Sequence, residues 1–485
     1  MDGEPAFGDA AGSWLGAFDD EVRMTRPRRR ALVAIGLGEF VDAYDLIVIG
    51  GLVFALKAHF QLSAGQLGWL SAAAFFGSAL GALFFGDLVD RIGRRRVFVV
   101  NLIAFVGLAL LSAVVTEVWM LFVVRVLIGV AIGADIAASI SFLAELSPRG
   151  SRGGWTGAMP QITWSLGAIC AVLVDAGLYA LMGADAWRLA FALGAIPAVV
   201  VLLVRRSLPD SPRWLLAQGR VTEAVAGFEQ FGVRVRDHSR LATAPSRPVV
   251  RRRARARGRL EPYAKLFSGK RRAAVIFAIL MIGLIPLNGI GQSVLVTYVL
   301  DQFGGHLSRV SSILAGSVLW IGALAGSYLA WRTLDRLGRI SSIVGALVGF
   351  VVVYVLMVTV AFGTAWLIPL YFLLGVVTWW GASACWPLPS ELAPTEMRGR
   401  AQGLGTGLQR FCIGVNTLLL PHMLVWVGFR ATVLLAAGIS VALIPFALWG
   451  RRFEPTQRSL EVASGDELLG APVVGSPNPG MVLSP

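Results

Sequence analysis

Apolar residues occupy most of this chain in long stretches separated by short polar segments. Because a helix rises 1.5 Å per residue, about 20 apolar residues can cross the roughly 30 Å hydrocarbon core of a bilayer. Lipid offers no partner to an unpaired backbone group, so such stretches must be helices. The pattern predicts an all-α membrane protein with twelve transmembrane helices, at 31–56, 66–86, 97–115, 119–143, 155–180, 187–205, 273–299, 309–331, 340–363, 366–389, 401–425 and 429–450.

The polar segments divide the chain into two halves of six helices. We expect a cytoplasmic N-terminal segment at 1–30, a first half at 31–205, a basic cytoplasmic linker at 206–272 that is flexible near 235–260, a second half at 273–450 and a partly disordered cytoplasmic tail at 451–485. The composition, 56% hydrophobic and 15% charged, lies outside the range of ordinary soluble domains.

A short charged sequence occurs twice. Residues 90–94 read Asp-Arg-Ile-Gly-Arg, and residues 335–339, 245 positions later, read Asp-Arg-Leu-Gly-Arg. A Glu-Leu-x-Pro sequence that begins at Glu145 returns at Glu391, 246 positions later. This order and spacing indicate two pseudo-symmetric halves, which is typical of membrane transporters whose substrate site lies between the halves.

Arginine is concentrated in the N-terminal segment, in every second connection and after the last span. The positive-inside rule therefore predicts that both termini and the central loop are cytoplasmic, as an even number of spans also requires. The first 30 residues are polar and end in a basic cluster, so we expect no cleaved signal peptide. We expect the chain in a cell membrane, most simply a bacterial cytoplasmic membrane.

The net charge of +14 comes almost entirely from one loop, because the segment from Arg205 to Arg272 contains eighteen Lys or Arg and only five Asp or Glu. Anionic lipid headgroups explain such a loop, and no nucleic-acid motif accompanies it. The three Cys and four His are scattered, and no nucleotide-binding loop occurs. We therefore expect no enzyme active site, no metal, no cofactor and no nucleic-acid partner, and we expect a monomer in the bilayer.

The repeated loops carry acidic residues, whose charge opposes the positive-inside pattern. Asp/Arg and Glu/Arg clusters at corresponding cytoplasmic helix ends can pair across the two halves and close the inner mouth while the outer mouth is open. The alternative is that the arginines only set the topology. The candidate gate residues are Asp90, Arg91, Arg94, Glu145, Arg152, Asp335, Arg336, Arg339, Glu391 and Arg398.

Charges inside the spans are functional candidates, because a charge at the bilayer centre costs about 2.5 to 3.5 kcal/mol on insertion scales. Glu39, Asp42 and Asp45 lie three residues apart on one broad face of the first span. Asp45 lies roughly 20 Å from the cytoplasmic helix end, and Arg125 of the fourth span can meet it at that depth. A buried carboxylate released by an approaching Arg can exchange a proton; the alternative is a fixed structural ion pair.

Several motifs resemble the major facilitator superfamily. Residues 86–95, Gly-Asp-Leu-Val-Asp-Arg-Ile-Gly-Arg-Arg, are similar to its signature between the second and third helices, although Trp331 replaces the first Gly in the second copy. Residues 209–215, Pro-Asp-Ser-Pro-Arg-Trp-Leu, resemble its sugar-porter and organic-ion branches. The resemblance implies a two-half fold with alternating access, in which Asp45 takes the coupled proton and Arg125 modulates it, with Asp42 and Asp135 as further candidates.

Two branches of this superfamily imply different substrates. Gln161 and Trp386 match sugar porters, in which the glutamine binds sugar hydroxyls. The paired glutamines of the sugar-porter seventh helix are absent, and Asn288 and Gln292 are the polar residues found there instead.

The second branch comprises proton symporters of aromatic acids and nicotinate. The resemblance rests on Asp42 and Asp45 in the first span, Asp135 after Gly-Ala, Trp164 and Arg410. An arginine inside the eleventh span is a bidentate partner for a carboxylate. The alternative is an arginine that reaches toward the inner interface.

These features favour a proton-coupled symporter of a small polar metabolite, either an organic carboxylate or a sugar or polyol. Proton-driven efflux of amphiphilic compounds uses the same fold and is the main alternative. A non-transporting nutrient sensor is the third possibility.

Overall fold

The computed structural model describes residues 24–232, 261–268, 272–289, 296, 299, 308–360, 366–394, 397–456 and 463. These residues are almost entirely helical, without a β-strand among them. Nine helical stretches in this part of the chain are long and apolar enough to cross a membrane. One of them, Gly153–Arg205, contains two spans, because a short 3₁₀ turn at Gly183–Asp185 divides it.

These stretches supply ten of the twelve predicted spans, and the first and seventh spans are the other two. The first consists of three consecutive shorter helices, and the seventh is described only as the apolar stretch Arg272–Asn288. The all-α, twelve-span fold predicted from the apolar pattern is therefore confirmed.

The first half contains nine helices. These are α1 (Arg26–Gly36), α2 (Gly38–Gly51), α3 (Val53–Phe60), α4 (Ala64–Ile92), α5 (Arg94–Val114), α6 (Val118–Leu146), α7 (Met159–Met182), α8 (Ala186–Leu193) and α9 (Ala195–Arg205).

The second half follows three short helices of the connecting loop, α10 (Pro212–Ala217), α11 (Val221–Gln230) and α12 (Glu261–Leu266). Its own helices are α13 (Arg272–Leu284), α14 (Arg309–Leu337), α15 (Arg339–Thr359), α16 (Leu367–Cys385), α17 (Leu388–Leu392), α18 (Arg398–Trp426) and α19 (Gly428–Trp449).

The connecting loop contains short helices on both sides of the predicted flexible part. Ser211 caps α10 by accepting a hydrogen bond from the Trp214 N–H, with Pro212 in the first turn. Helix α11 buries an apolar face that includes Phe228. The predicted flexible part, 235–260, lies outside the described residues, as do residues 1–23 and most of the predicted disordered tail.

The first span begins earlier than predicted and is not one continuous helix. Thr25 caps α1 at its N terminus, and Pro27 occupies the first turn, so the helix starts at Arg26. The span is then interrupted at Leu37 and at Leu52, each next to glycine. Glycine lowers helix stability, which explains why the interruptions fall there.

Small residues let corresponding helices of each half pack closely. A Cβ atom added at Gly77 of α4 would lie 2.0 Å from the Val126 carbonyl oxygen of α6. At the equivalent position, a Cβ on Gly322 of α14 would lie 2.1 Å from the Phe372 carbonyl oxygen of α16. The glycines four positions later repeat both contacts, so the sequence repeat is also a structural repeat.

The two halves meet along α4 and α18 and along α7 and α14. A Cβ on Gly403 of α18 would lie 2.4 Å from the Ala82 carbonyl oxygen of α4. Likewise, a Cβ on Gly157 would lie 2.2 Å from the Ser383 carbonyl oxygen. Helix α2 packs along α7, and α7 lies at this contact between the halves.

Candidate functional site

Asp45 and Arg125 form a buried ion pair between α2 and α6. An Arg125 Nη1 atom lies 2.8 Å from Asp45 Oδ2, and Arg125 Nη2 donates to the Asp45 backbone carbonyl at 2.8 Å. Both side chains are almost completely buried, and the Phe191 ring covers the guanidinium at 5.3 Å. A buried charge is tolerated when it is paired, so separating this pair requires another way to neutralise Asp45.

A second buried pair joins Asp135 to Arg205, which ends the predicted sixth span and was not among the predicted site residues. Arg205 Nη1 lies 2.6 Å from Asp135 Oδ1, and Ser139 donates to Asp135 Oδ2 at 3.0 Å. Arg205 also donates to the backbone carbonyls of Ala34, at 3.0 Å, and of Ile35. Asp135 therefore connects α6 to α9 and, through Arg205, to α1. This placement suits a structural connection better than proton exchange.

Arg410 of α18 lies against tryptophans from both halves. Its Cζ atom is 4.7 Å from the ring centroid of Trp164 and 5.8 Å from that of Trp386. The side chain is 2% exposed. Within the part of the chain that the structure describes, Nε and Nη2 have no hydrogen-bond partner. Arg410 is thus buried where helices of the two halves meet.

Two carboxylates of α2 share this region with Arg410. Glu39 and Asp42 are buried, and both interact electrostatically with Arg410. Both Glu39 carboxylate oxygens and Asp42 Oδ2 have no hydrogen-bond partner among the described residues. The centre therefore offers one cation, two carboxylates and two indole rings, which suits a small polar ligand with an apolar or aromatic body.

The remaining predicted substrate residues divide into two groups. Gln161 is buried on α7, and the spacing of three residues places it on the same helix face as Trp164. Asn288 instead ties helices together, because its Nδ2 donates to Ser440 Oγ at 3.2 Å and its backbone carbonyl accepts from Tyr354 at 2.6 Å. Gln292 lies outside the described residues.

Two charge pairs among the predicted gate residues each lie within one half. Arg94 Nη2 lies 2.7 Å from Glu145 Oε1, and Arg339 Nη2 lies 3.0 Å from Glu391 Oε1. Both arginines directly follow a glycine at positive φ, 93° at Gly93 and 89° at Gly338. The turn at this glycine places the start of the third span of each half beside the end of the fourth span of that half. The arginine therefore contacts the glutamate of its own half. The expectation of pairing across the halves is corrected for these four residues.

Asp335 makes the contact between halves that this hypothesis required. Its carboxylate accepts hydrogen bonds from the backbone N–H groups of Gly153, at 2.8 Å, and Gly154, at 3.1 Å. Beside it the rings of Trp155 and Trp331 are 5.0 Å apart. A carboxylate on backbone N–H groups at a helix start is a favourable arrangement. The Asp335 carboxylate is thus bound by backbone N–H groups of the other half, a kind of contact that a search for opposite charges does not predict.

A second cross-half contact joins Arg400 to Asp87, with Nη2 2.8 Å from Oδ1. Neither residue was among the predicted gate residues, although Asp87 belongs to the first copy of the loop signature. Of the other predicted residues, Arg152 and Arg398 are buried and Arg336 is exposed. The side chains of Asp90 and Arg91 lie outside the described part.

Equivalent carboxylates cap the N terminus of the third span of each half, α5 and α15. Asp210 accepts a hydrogen bond from the Arg95 N–H at 3.0 Å, and Glu454 accepts from the N–H groups of Arg339, at 2.9 Å, and Ile340, at 2.8 Å. These carboxylates come from the segments that follow the sixth and the twelfth spans. The two halves therefore end in the same way, with an acidic residue at the positive end of a helix dipole.

A duplicated helical bundle with buried charges between its halves defines a membrane transporter. The chain belongs to the "Sugar (and other) transporter" family, whose model matches residues 31–462. It is therefore a multi-pass membrane transporter and not an enzyme.

Relatives of this chain match it over most of its length or over part of it. It is 29% identical to the "Putative metabolite transport protein YaaU" of Escherichia coli over 92% of this chain and 96% of that protein. It is 30% identical to the "Niacin transporter NiaP" of Acinetobacter baylyi over 40% of this chain and 43% of that one.

A solved structure with the same fold is the proton:xylose symporter XylE bound to 6-bromo-6-deoxy-D-glucose. It superposes with a TM-score of 0.75 at 22% identity, covering 91% of this chain and 99% of that one.

Proposed function

We propose that this chain is a proton-coupled symporter that carries a small polar metabolite by alternating access. The observation that carries the proposal is the Asp45–Arg125 pair, in which a carboxylate of α2 is buried against an arginine of α6 at 2.8 Å. When Arg125 leaves Asp45, the carboxylate must take up a proton to remain in apolar surroundings. Proton uptake is then tied to movement of the helices. A structural neighbour described as a proton:xylose symporter supports this coupling.

Arg410 favours an organic carboxylate, most simply an aromatic one, as the substrate. Its free Nε and Nη2 atoms can form a bidentate pair with a carboxylate, while Trp164 and Trp386 provide flat apolar surfaces. The partial match to a niacin transporter agrees with this chemistry. A sugar or polyol is the second candidate, because Gln161 is buried near Trp164 and XylE carries xylose.

In the proposed cycle, the inner mouth is closed by contacts between the halves. Two contacts hold the predicted cytoplasmic ends together. They are the hydrogen bonds from the Gly153 and Gly154 N–H groups to Asp335 and the ion pair between Arg400 and Asp87. The pairs within each half, such as Arg94 with Glu145, keep each bundle rigid while these contacts break. Inward opening then requires loss of the cross-half contacts and not of the pairs within each half.

The proposed location is a bacterial cytoplasmic membrane, with both termini and the loop around Arg255 on the cytoplasmic side and the chain acting as a monomer. The support is the distribution of arginine over alternate connections. Alkaline phosphatase and green fluorescent protein fused at these three places test the orientation. Only the fluorescent protein, which matures in the cytoplasm, should be active, and phosphatase activity at either terminus would contradict the topology.

Transport is tested with purified protein in liposomes that contain a pH-sensitive dye. Aromatic carboxylates, sugars and amphiphilic amines are added outside in turn, without an imposed pH gradient. We expect acidification of the interior with one carboxylate class. Acidification with sugars alone would select the second substrate class. Proton movement in the opposite direction, seen only with amphiphiles, would indicate efflux, and no movement with any compound would favour a sensor.

A further inference from the structure

Asp175 is a buried carboxylate on α7 to which the mechanism above gives no role. The residue is 0% exposed, and neither Oδ1 nor Oδ2 has a hydrogen-bond partner among the described residues. The Asp175 side chain packs directly against Gly51 of α2, because a Cβ atom added at Gly51 would lie 2.3 Å from Asp175 Oδ2. The sequence reading passed over Asp175, since it lies in an otherwise apolar span with no partner at helical spacing.

Neither carboxylate oxygen of Asp175 is bonded to a cation among the described residues, and the Arg309 guanidinium donates instead to the Tyr179 hydroxyl, one turn further along α7, at 3.2 Å. The ionisable groups that face it are the Tyr44 hydroxyl of α2, which donates to the Ala190 backbone carbonyl, and the Cys170 thiol of its own helix. Asp45 and Asp135, in contrast, each lie within 2.8 Å of an arginine. An unpaired carboxylate anion in apolar surroundings is costly, so these surroundings favour the neutral carboxyl group over the anion.

Asp175 also lies where the first span is interrupted. Gly51 ends α2, and Leu52 separates it from α3. Gly51 follows Asp45 by six residues, which is about 9 Å along the helix axis. Both Asp175 and Asp45 act electrostatically on Tyr44. In the proposed topology this places Asp175 between Asp45 and the outer surface.

We propose that Asp175 is a second proton-binding site, which loads the coupled proton onto Asp45 from the outer side. The inference rests on the proposed proton coupling. When the outer side opens and Arg125 moves away, the Asp175 carboxyl group releases its proton to water, and the proton passes to the Asp45 carboxylate. The Asp175 carboxylate then takes a proton from the outer solution. One proton enters for each transfer, and Asp175 ends in its starting form.

The test compares Asp175→Asn with the matched control Asp185→Asn, in which an exposed carboxylate after α7 is changed. We expect Asp175→Asn to slow substrate-driven proton entry at least about ten-fold, since a positioned proton-transfer group typically contributes more than this. The number of protons per substrate stays unchanged, because Asp45 still binds the coupled proton. Substrate exchange without net proton movement also continues, whereas a purely structural role would lower exchange and proton entry together.

Proton entry at the rate of the wild type and of Asp185→Asn would overturn the inference. A parallel loss of exchange and proton entry would overturn it as well. Failure of the proposed function is distinguishable, because wild-type protein would then show no proton entry with any substrate.

A second measurement uses the unmodified protein and does not depend on how the variant folds. Dicyclohexylcarbodiimide, an apolar reagent, reacts with protonated carboxyl groups, and mass spectrometry locates the adduct. We expect labelling at Asp175 that declines as the pH rises, and protection when the outer side is closed by bound substrate. Labelling that does not change with pH, or no labelling at Asp175, would mean that this carboxyl does not exchange protons.

Discussion

Arg410 of the second half lies with its Cζ atom 4.7 Å from the Trp164 ring centroid of the first half. This contact joins the halves at the centre of the molecule, beside the carboxylates of Glu39 and Asp42. Any rotation of one half against the other must change the distance between guanidinium and indole. A ligand that bridges the two residues would therefore stabilise one relative position of the halves over the other.

Replacing Asp45 with Asn should separate proton coupling from substrate movement. An Asn mimics the protonated carboxyl, so substrate-driven acidification of liposomes should disappear, while exchange of labelled substrate remains measurable. Asp185→Asn, on the exposed turn after α7, is the matched control and should behave as wild type. If Asp45→Asn liposomes still acidify on addition of substrate, Asp42 or Asp135 becomes the better candidate for the proton site.

Arg410→Ala and Gln161→Ala should distinguish a carboxylate substrate from a sugar. A hydrogen bond to a charged group is worth about 1.5 to 3 kcal/mol net, so Arg410→Ala should weaken carboxylate binding about ten-fold or more. Gln161→Ala should then have a smaller effect. For a sugar or polyol the order reverses, and Arg410→Lys is nearly silent. Titration calorimetry with the best ligand decides between them, and small equal effects would mean that neither residue lines the site.

Asp335→Asn should favour the inward-open state. The substitution replaces a charged acceptor of the Gly153 and Gly154 N–H groups by a neutral amide, which costs about 1 kcal/mol and raises the inward-open population about five-fold. The readout is alkylation of Ser383→Cys by an impermeant maleimide in inside-out vesicles, since Ser383 is buried against Gly157.

The matched control for this experiment is Glu223→Gln, which breaks an exposed ion pair with Arg220 on α11. Exposed pairs contribute little, so its alkylation rate should equal that of the Ser383→Cys background. Equal rates for Asp335→Asn and the control would show that the Asp335 contact does not hold the inner mouth closed.

Gly77→Ala should destabilise the first half by about 1 to 3 kcal/mol, the usual cost of overpacking. The new Cβ would lie 2.0 Å from the Val126 carbonyl oxygen, so α4 and α6 must move apart. Gly107→Ala is the control, because no other atom lies within 4 Å of its added Cβ. Thermal unfolding in detergent should show a lower midpoint for Gly77→Ala alone, and equal midpoints would contradict the close packing.

The sequence located several of the central residues because charge is rare in apolar spans. Asp45, Arg125 and Arg410 were each visible as isolated charges, and helical spacing placed Asp45 and Arg125 at similar depth. The structure brings Asp45 to Arg125 and surrounds Arg410 with two tryptophans.

Other partners were hidden because they depend on how distant segments meet. Arg205 looked like the start of a basic loop, yet it reaches back to Asp135 and to the backbone of α1. Asp335 accepts hydrogen bonds from the backbone N–H groups of Gly153 and Gly154, which lie 182 and 181 residues away along the chain. The sequence of α7 gives no reason to single out Asp175. The structure shows that it is buried against Gly51 of α2.

The sequence by itself determined the all-α membrane fold and its division into two halves, because hydrophobicity, helix length and the repeat are properties of consecutive residues. Only the tertiary structure decided which charges meet. A buried charge must be neutralised by whatever group lies nearest in space, and that group comes from a helix whose distance along the chain gives no hint of contact. The tertiary structure therefore pairs Asp135 with Arg205, 70 residues away, and leaves Asp175 without a hydrogen-bond partner among the described residues.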